Sequence, residues 1–265
     1  MSTSQSIDPI TSAYAYPLRV KQLLRSSLAS CPDQQIVYRD LARFTYSQFD
    51  ERISRLANAL HRLGVAMGDT IAVMDWDSHH YLETYFAVPM MGAVMMTVNV
   101  RLSPDQIGYT IQHSGASVVV VHSDFLPVLN KIRDRLDTVK QFILLQDSPE
   151  SSLPDSFFME YEVLLEASGT SFDFPDFDEN SRATTFYTTG IAGLPKGVFF
   201  SHRQLVLHTL SVAVAFTSAG QHGRIHRDDV YMPMTPMFHV HAWGAPYVAT
   251  LLGMKQVYPG SYLRS

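Results

Sequence analysis

Apolar residues at Phe49, Ile53, Leu56, Ala57, Leu60 and Leu63 recur at the three-to-four spacing of one helical face, and Gly64 ends the run. This predicts an amphipathic helix opened by Ser47-Gln48-Phe49-Asp50. The next segments are patterned differently. Thr70 to Met74 and Val94 to Val98 are short and almost wholly apolar, as strands are, and they flank a predicted helix from about Ser78 to Met91. Ser103 is placed to cap another helix, with Pro104 in its first turn and Gly115 past its end. Val118 to Val121 is a continuous β-branched run and Phe142 to Leu145 is similarly apolar, as expected of strands buried on both faces; Asp124 to Leu136 reads as the helix between them. Strands alternating with helices of this length predict an α/β fold, doubly wound, with mostly parallel sheets and helices on both faces.

Asp147 to Pro154 and Ser168 to Asn180 are rich in turn-forming and acidic residues and read as connections. The second leads into a strand at Ala183 to Tyr187, and the expected subdomain boundary lies near residue 180, giving regions 1–180 and 181–265. The chain has 265 residues, 46% of them hydrophobic, enough to bury a sizeable core. Met90, Met91, Met95 and Met96 belong to that core as adaptable packing. Twenty basic against twenty-five acidic residues give a net charge of -5 with no basic block, so nucleic acid is not an expected partner. Cys31 is the only cysteine, which excludes an intrachain disulfide and a multi-cysteine zinc site and fits a cytoplasmic location. Met1 to Ile10 is polar and lacks the pattern of a secretory signal, and the longest apolar run, Phe86 to Val98, is too short for a transmembrane segment.

Tyr187 to Gly197 (YTTGIAGLPKG) carries the candidate chemistry: three glycines, two threonine hydroxyls and a lysine between a strand and the apolar Val198-Phe199-Phe200. Glycine lets backbone amides turn toward an anion, Thr188 and Thr189 add hydroxyl donors and Lys196 adds a point charge. Such a loop suits phosphate. It is not the P-loop of nucleotide hydrolases, which needs Gly-Lys-Ser/Thr, because Lys196 stands between Pro195 and Gly197. Ser201 caps a helix beginning near His202, and no Gly-x-Ser-x-Gly elbow supports a serine hydrolase. His239 and His241 would share one face of a strand, and His222 and His226 have helix-face spacing, but neither pair has a third ligand and no residue is assigned to a metal. On composition alone Met234 to Trp243 reads as a buried strand and turn.

The order Tyr-Thr-Thr-Gly, two residues, Gly-Leu-Pro-Lys-Gly-Val, then Ser201-His202-Arg203, resembles the phosphate loop of the adenylate-forming superfamily of acyl-CoA synthetases, peptide-synthetase adenylation domains and luciferases. Gly92-Ala93-Val94, Asn99 to Pro104 and Pro233 to His239 resemble further family landmarks, and His239-Val240-His241-Ala242-Trp243-Gly244 is most similar to medium- and long-chain fatty acid ligases. The resemblance implies the N-terminal part of an acyl-CoA synthetase-like fold, in which early segments and those after the loop share one sheet system while the middle forms another. It implies AMP-forming ligation of a small-molecule carboxylic acid to CoA, with ATP and Mg. Carried over residue by residue, Thr188, Thr189, Gly190, Gly193 and Lys196 would bind the nucleotide phosphates; His239 would be catalytic, beside the acyl carboxylate; Trp243 and Gly244 would line the acyl site.

Two departures set further expectations. Ile191 and Ala192 stand where the family usually has two threonines that help hold phosphate and magnesium. The chain ends at Ser265, against roughly twice that length in the family, so the mobile C-terminal domain is expected to be absent and a sheet left with an open edge that invites pairing in a homo-oligomer. The alternative to an active ligase is a truncated or degenerate member that binds acyl or nucleotide ligand without turnover.

Overall fold

The computed structural model describes residues 16–148, 158–188, 193–220 and 223–263. The chain opens with α1 (Lys21–Ser30) and a hairpin, β1 (Gln35–Tyr38) and β2 (Ala42–Thr45), then α2 (Tyr46–Arg62), β3 (Thr70–Met74), α3 (His79–Met90) and β4 (Val94–Thr97). It continues through α4 (Pro104–Ser114), β5 (Ala116–His122), α5 (Leu126–Ile132), β6 (Gln141–Leu145), β7 (Phe158–Glu160) and α6 (Tyr161–Glu166). The last part holds β8 (Arg182–Thr188), β9 (Lys196–Ser201), α7 (His202–Thr217), β10 (Val230–Tyr231), α8 (Ala245–Leu252) and β11 (Lys255–Tyr258).

Helix starts follow side-chain chemistry. Thr45 and Gln48 form a capping box at α2, Ser103 and Gln106 do so at α4, and Ser201 and Gln204 at α7; each hydroxyl accepts from the glutamine's amide three residues on, while the glutamine side chain accepts from the cap amide. Gly115 ends α4 at φ 69°, a left-handed conformation that glycine adopts without a Cβ clash. The segment expected as one helix from Asp124 to Leu136 is instead α5 with a 3-10 turn on either side, Ser123–Phe125 and Arg133–Arg135.

A seven-stranded sheet runs β7-β6-β5-β3-β4-β8-β9, parallel throughout except for the antiparallel β8–β9 pair. Alternate residues of its central strands point to opposite faces. Ile71, Val73, Val118 and Val120 join the cluster containing Phe49 and Leu56 of α2, whereas Ala72, Met74, Val119 and Val121 pack with Ile107 of α4 and Leu129 of α5. Helices therefore cover both faces, the doubly wound arrangement that the alternating strand and helix pattern predicts. Met90, Met91, Met95 and Met96 are all buried. A second sheet, β10-β11-β1-β2, combines the earliest strands with the latest. Each sheet thus draws strands from both sides of residue 180.

None of the helices among the described residues is long and apolar enough to cross a membrane. Met1 to Ile10 and residues 149–154 of the first predicted connection lie outside the described residues. Residues 168–180 form the second as expected; there Glu179 accepts a hydrogen bond from Arg203 of α7 and another from the Leu18 amide at 2.6 Å.

Candidate functional site

The phosphate-type loop joins β8 to β9. Thr188 pairs with Lys196 across the antiparallel ladder, so both stand at the tip of a hairpin projecting from the carboxyl end of β8. Thr188, Gly193 and Lys196 are exposed, and Gly193 holds φ at 94°, which its lack of a Cβ permits. Lower in the hairpin, Tyr187 anchors the sheet end: its hydroxyl lies 2.8 Å from His113 Nδ1, and burial pushes its pKa up to about 12. A Cβ at Gly197 would lie 3.4 Å from the Tyr187 ring, so the glycine lets that ring cross β9 closely. Thr189, Gly190, Ile191 and Ala192 fall outside the described residues.

The chain from Met237 to Gly244 crosses the same carboxyl end and is held there through its backbone. The Met237 amide donates to Asp77 Oδ1 at 2.6 Å, the Tyr85 hydroxyl donates to the Met237 carbonyl, and Thr97 Oγ1 donates to the Phe238 carbonyl at 3.0 Å. Asp77 lies between β3 and α3 and Thr97 ends β4, so two parallel strands aim their carboxyl ends at this segment. Burial raises the Asp77 carboxyl to about 6, with the Met237 amide working against the rise and the neighbouring Asp75 adding to it. Asp77, Tyr85 and Thr97 were not singled out by sequence; their partners are backbone groups some 140 to 160 residues away, which no local spacing announces.

Val240, His241, Ala242 and Trp243 then take φ values of 48°, 55°, 48° and 56°, followed by Gly244 at 73°. Five consecutive left-handed residues, four with side chains, make a turn of the hand that L-residues disfavour by roughly 1–2 kcal/mol each. Of the buried strand and turn expected across Met234 to Trp243, the turn is present and the strand is not. Met234 is exposed, and the backbone of Met237 and Phe238, just before the turn, is held by Asp77, Tyr85 and Thr97 rather than by a neighbouring strand.

The left-handed turn also separates the two histidines that a strand would have aligned. His241 is buried among the rings of Phe186, Tyr85 and Phe200, at centroid distances of 5.4, 5.9 and 6.1 Å. Neither of its ring nitrogens has a hydrogen-bond partner, and burial lowers its pKa to about 3, so it is a neutral packing element. His239 is exposed, with its ring 6.3 Å from that of Trp243, which is 62% exposed. His222, of the other pair, lies outside the described residues.

Gly244 is confined by more than its φ. A Cβ there would lie 2.8 Å from His208 Cδ2, and His208 Nε2 stands 3.0 Å from the Trp243 carbonyl, which accepts from the Nε2–H form of the ring. The imidazole of His208 therefore occupies the space beside Gly244. Phe186 and Phe200, on either arm of the hairpin, touch the His241 ring, so the loop bearing Thr188 and Lys196 and the turn bearing His239 and Trp243 are packed on one another. They share the carboxyl end of a parallel sheet, where ligands of α/β folds bind.

A family model described as AMP-binding enzyme matches residues 24–264. A long-chain-fatty-acid–CoA ligase from Thermus thermophilus is 41% identical over 225 residues, an alignment that takes in 84% of this chain and 39% of the ligase. A medium-chain-fatty-acid–CoA ligase from Ectopseudomonas oleovorans is 36% identical over 225 residues, 84% of this chain and 40% of its own. The chain thus spans about two-fifths of the length of these curated relatives. Among solved structures, the anthranilate CoA ligase AuaEII in complex with anthranoyl-AMP shares the fold at a TM-score of 0.81 and 19% identity, over 91% of this chain and 44% of that one.

Proposed function

The chain belongs to the AMP-binding enzyme family, and on that premise we infer that it serves as the nucleotide- and acid-binding part of an acid–CoA ligase acting on a medium-chain or otherwise apolar carboxylic acid. The observation that carries this reading is the packing of the β8–β9 hairpin against the His239–Trp243 turn through Phe186, His241 and Phe200. It brings a phosphate-type loop and an apolar turn with an exposed imidazole to one end of the sheet. The relatives from Thermus and Ectopseudomonas, named for long-chain and medium-chain fatty acids, support an apolar acid.

In the proposed reaction a carboxylate oxygen attacks the α-phosphorus of ATP and pyrophosphate departs, leaving an acyl adenylate; the CoA thiolate then attacks the acyl carbonyl and AMP leaves. The obstacle to the first step is repulsion between the carboxylate and the polyphosphate. Lys196, the hydroxyls of Thr188 and Thr189 and the amides around Gly190 and Gly193 would reduce it by holding phosphate oxygens, with Mg accompanying the nucleotide to neutralise charge. His239 would orient the carboxylate, and Trp243 and Gly244 would line the acyl chain; His208 has to swing away from Gly244 for a chain to enter beside it. The single cysteine supports a cytoplasmic setting, and β9, paired only with β8 among the described strands, offers an edge for self-association.

Ile191 and Ala192 favour a second reading, ligand binding without turnover, because they supply no hydroxyl to phosphate. ATP–pyrophosphate exchange with a panel of medium- and long-chain acids separates the two. The ligase reading expects acid-dependent exchange that falls about 100-fold in Lys196→Ala. Saturable binding of nucleotide or acid with no exchange would leave only the second.

A further inference from the structure

A cavity of about 480 Å³ lies away from the hairpin, at the carboxyl ends of β3, β6 and β7. Those ends lead respectively to His79 and His80 in the first turn of α3, to Gln146 and Asp147, and to Glu160 and Glu162. The strand order places β5 and β4 on opposite sides of β3, so the cavity borders a switch point of the sheet, the crevice where open α/β folds take ligands.

Three donors converge there. His80 Nε2 is 2.9 Å from Glu162 Oε1 and His79 Nε2 is 3.9 Å from the same oxygen, while the two imidazoles stack with centroids 3.8 Å apart. Donor atoms from all three lie within 4.8 Å of one another. A tetrahedral ion with bonds near 2.0–2.1 Å sets its donors about 3.4 Å apart, a value the two nitrogen–oxygen distances bracket. His79 is 3% exposed, its Nδ1 has no hydrogen-bond partner, and the ring wedges between Tyr38 and Phe44 at 5.0 and 5.1 Å. With no partner at Nδ1 to fix its tautomer, the neutral ring can carry its proton there and leave the Nε2 lone pair to an ion.

From this arrangement we propose a binding site for one divalent transition-metal ion of the zinc class, held by Nε2 of His79, Nε2 of His80 and Oε1 of Glu162, with a fourth position open to the cavity. Two imidazoles and one carboxylate suit such an ion better than calcium or magnesium, which take oxygen ligands. Glu162 is already oriented for it. Arg52 donates to both of its oxygens, from Nη1 to Oε2 at 2.9 Å and from Nη2 to Oε1 at 2.7 Å, and Oε1 keeps a second lone pair for the ion. The charge balance also favours a cation. Arg52 and the amino end of α3 are positive, but Arg52 Nε donates to Glu83 Oε1 at 2.6 Å, and Asp147, Glu160, Glu162 and Glu166 all line the cavity. His79 and His80 escape spacing-based searches because their third partner, Glu162, lies 82 residues beyond His80. The site does not depend on the ligase reading, and its test contains no acyl substrate.

Titration of the 265-residue chain with Co²⁺, followed by visible ligand-field absorption, is expected to show one ion bound per chain with the strong bands of four-coordination, displaced by Zn²⁺. His79→Phe keeps a ring between Tyr38 and Phe44 while removing a donor, and Glu162→Gln removes the carboxylate; each is expected to weaken binding about 100-fold or more, with an unchanged far-ultraviolet circular dichroism spectrum. His79→Gln serves if the larger ring disturbs folding. The proposal is overturned by the absence of saturable one-to-one binding. Binding that survives His79→Phe, or that disappears in His226→Ala or His239→Ala instead, overturns it equally.

Discussion

All five residues of β3, at the middle of the seven-stranded sheet, are buried, whereas β9 at its edge leaves Lys196, Gly197 and Phe199 exposed. β3 is fixed by side chains packed on two faces. The β9 end and the turn that rests on it are fixed mainly by backbone contacts, glycine geometry and a few aromatic rings. Stability and binding potential are thus concentrated in different parts of one sheet, its centre and its edge, and each should answer to a different kind of substitution.

The largest effect is expected at the centre. Ile71→Ala should cost about 2–5 kcal/mol in chemical denaturation, because Ile71 is wholly buried and the surrounding sheet cannot collapse into the void. A cost below about 1 kcal/mol would show that the core is looser than its burial suggests. At the edge the expected signature is a pH dependence. His241 has a pKa of about 3 in the fold against 6.5 unfolded, so its contribution is complete above 6.5 and lost as pH falls. Between pH 6.5 and 5 the wild type should lose about 2 kcal/mol relative to His241→Phe. Asp77, raised to about 6, works in the opposite sense, contributing stability below its unfolded value that is lost as pH rises through 6; it is present in both proteins and cancels in the comparison. Parallel stability curves for the two proteins would remove the buried neutral imidazole from the account.

Smaller effects sharpen the contrast. Gly244→Ala should cost about 1–2 kcal/mol from its φ of 73°, and the new methyl should displace His208, seen as a changed imidazole resonance. Phe199→Ala should cost only about 0.5–1 kcal/mol, chiefly the stacking of Arg182 4.4 Å from its ring centroid, since Phe199 is already 56% exposed. If Phe199→Ala were as damaging as Ile71→Ala, the edge would be as tightly packed as the centre and the comparison would fail.

The same division explains what could be read before the structure was known. Val118 to Val121 and Phe142 to Leu145 are strands buried on both faces, and that burial writes itself as an unbroken apolar run. Ser103 and Gly115 bound α4 through local chemistry, and local chemistry is legible. The short strands β1, β2, β10 and β11 were not foreseen; they have two to four residues each and are defined by partners up to about 220 residues away. The hairpin loop announced itself through its glycines and lysine. The hand of the turn at 240–243 did not, because none of Val, His, Ala and Trp favours it and the contacts around it come from distant residues: Asp77, Tyr85 and Thr97 on the preceding backbone, Phe186 on the His241 ring and His208 on the Trp243 carbonyl. Likewise Gly244 enters from the family resemblance only as a lining residue of the acyl site, and only the fold brings His208 beside it.

That imposed hand also bears on the order of assembly. A growing chain samples residues 240–243 in right-handed conformations, and nothing local converts them. The contacts around the mirror-image turn come from β4, β8 and the Tyr85 helix, so the segment carrying His239 and Trp243 is expected to be among the last to settle. In pulse-labelled hydrogen exchange, the Ala242 amide, which donates to the His239 carbonyl at 2.9 Å, should gain protection after those of β4; simultaneous protection would argue against this order. Chirality thereby acts as a clock: the geometry that would receive a ligand is expected only in a chain whose central sheet is already complete.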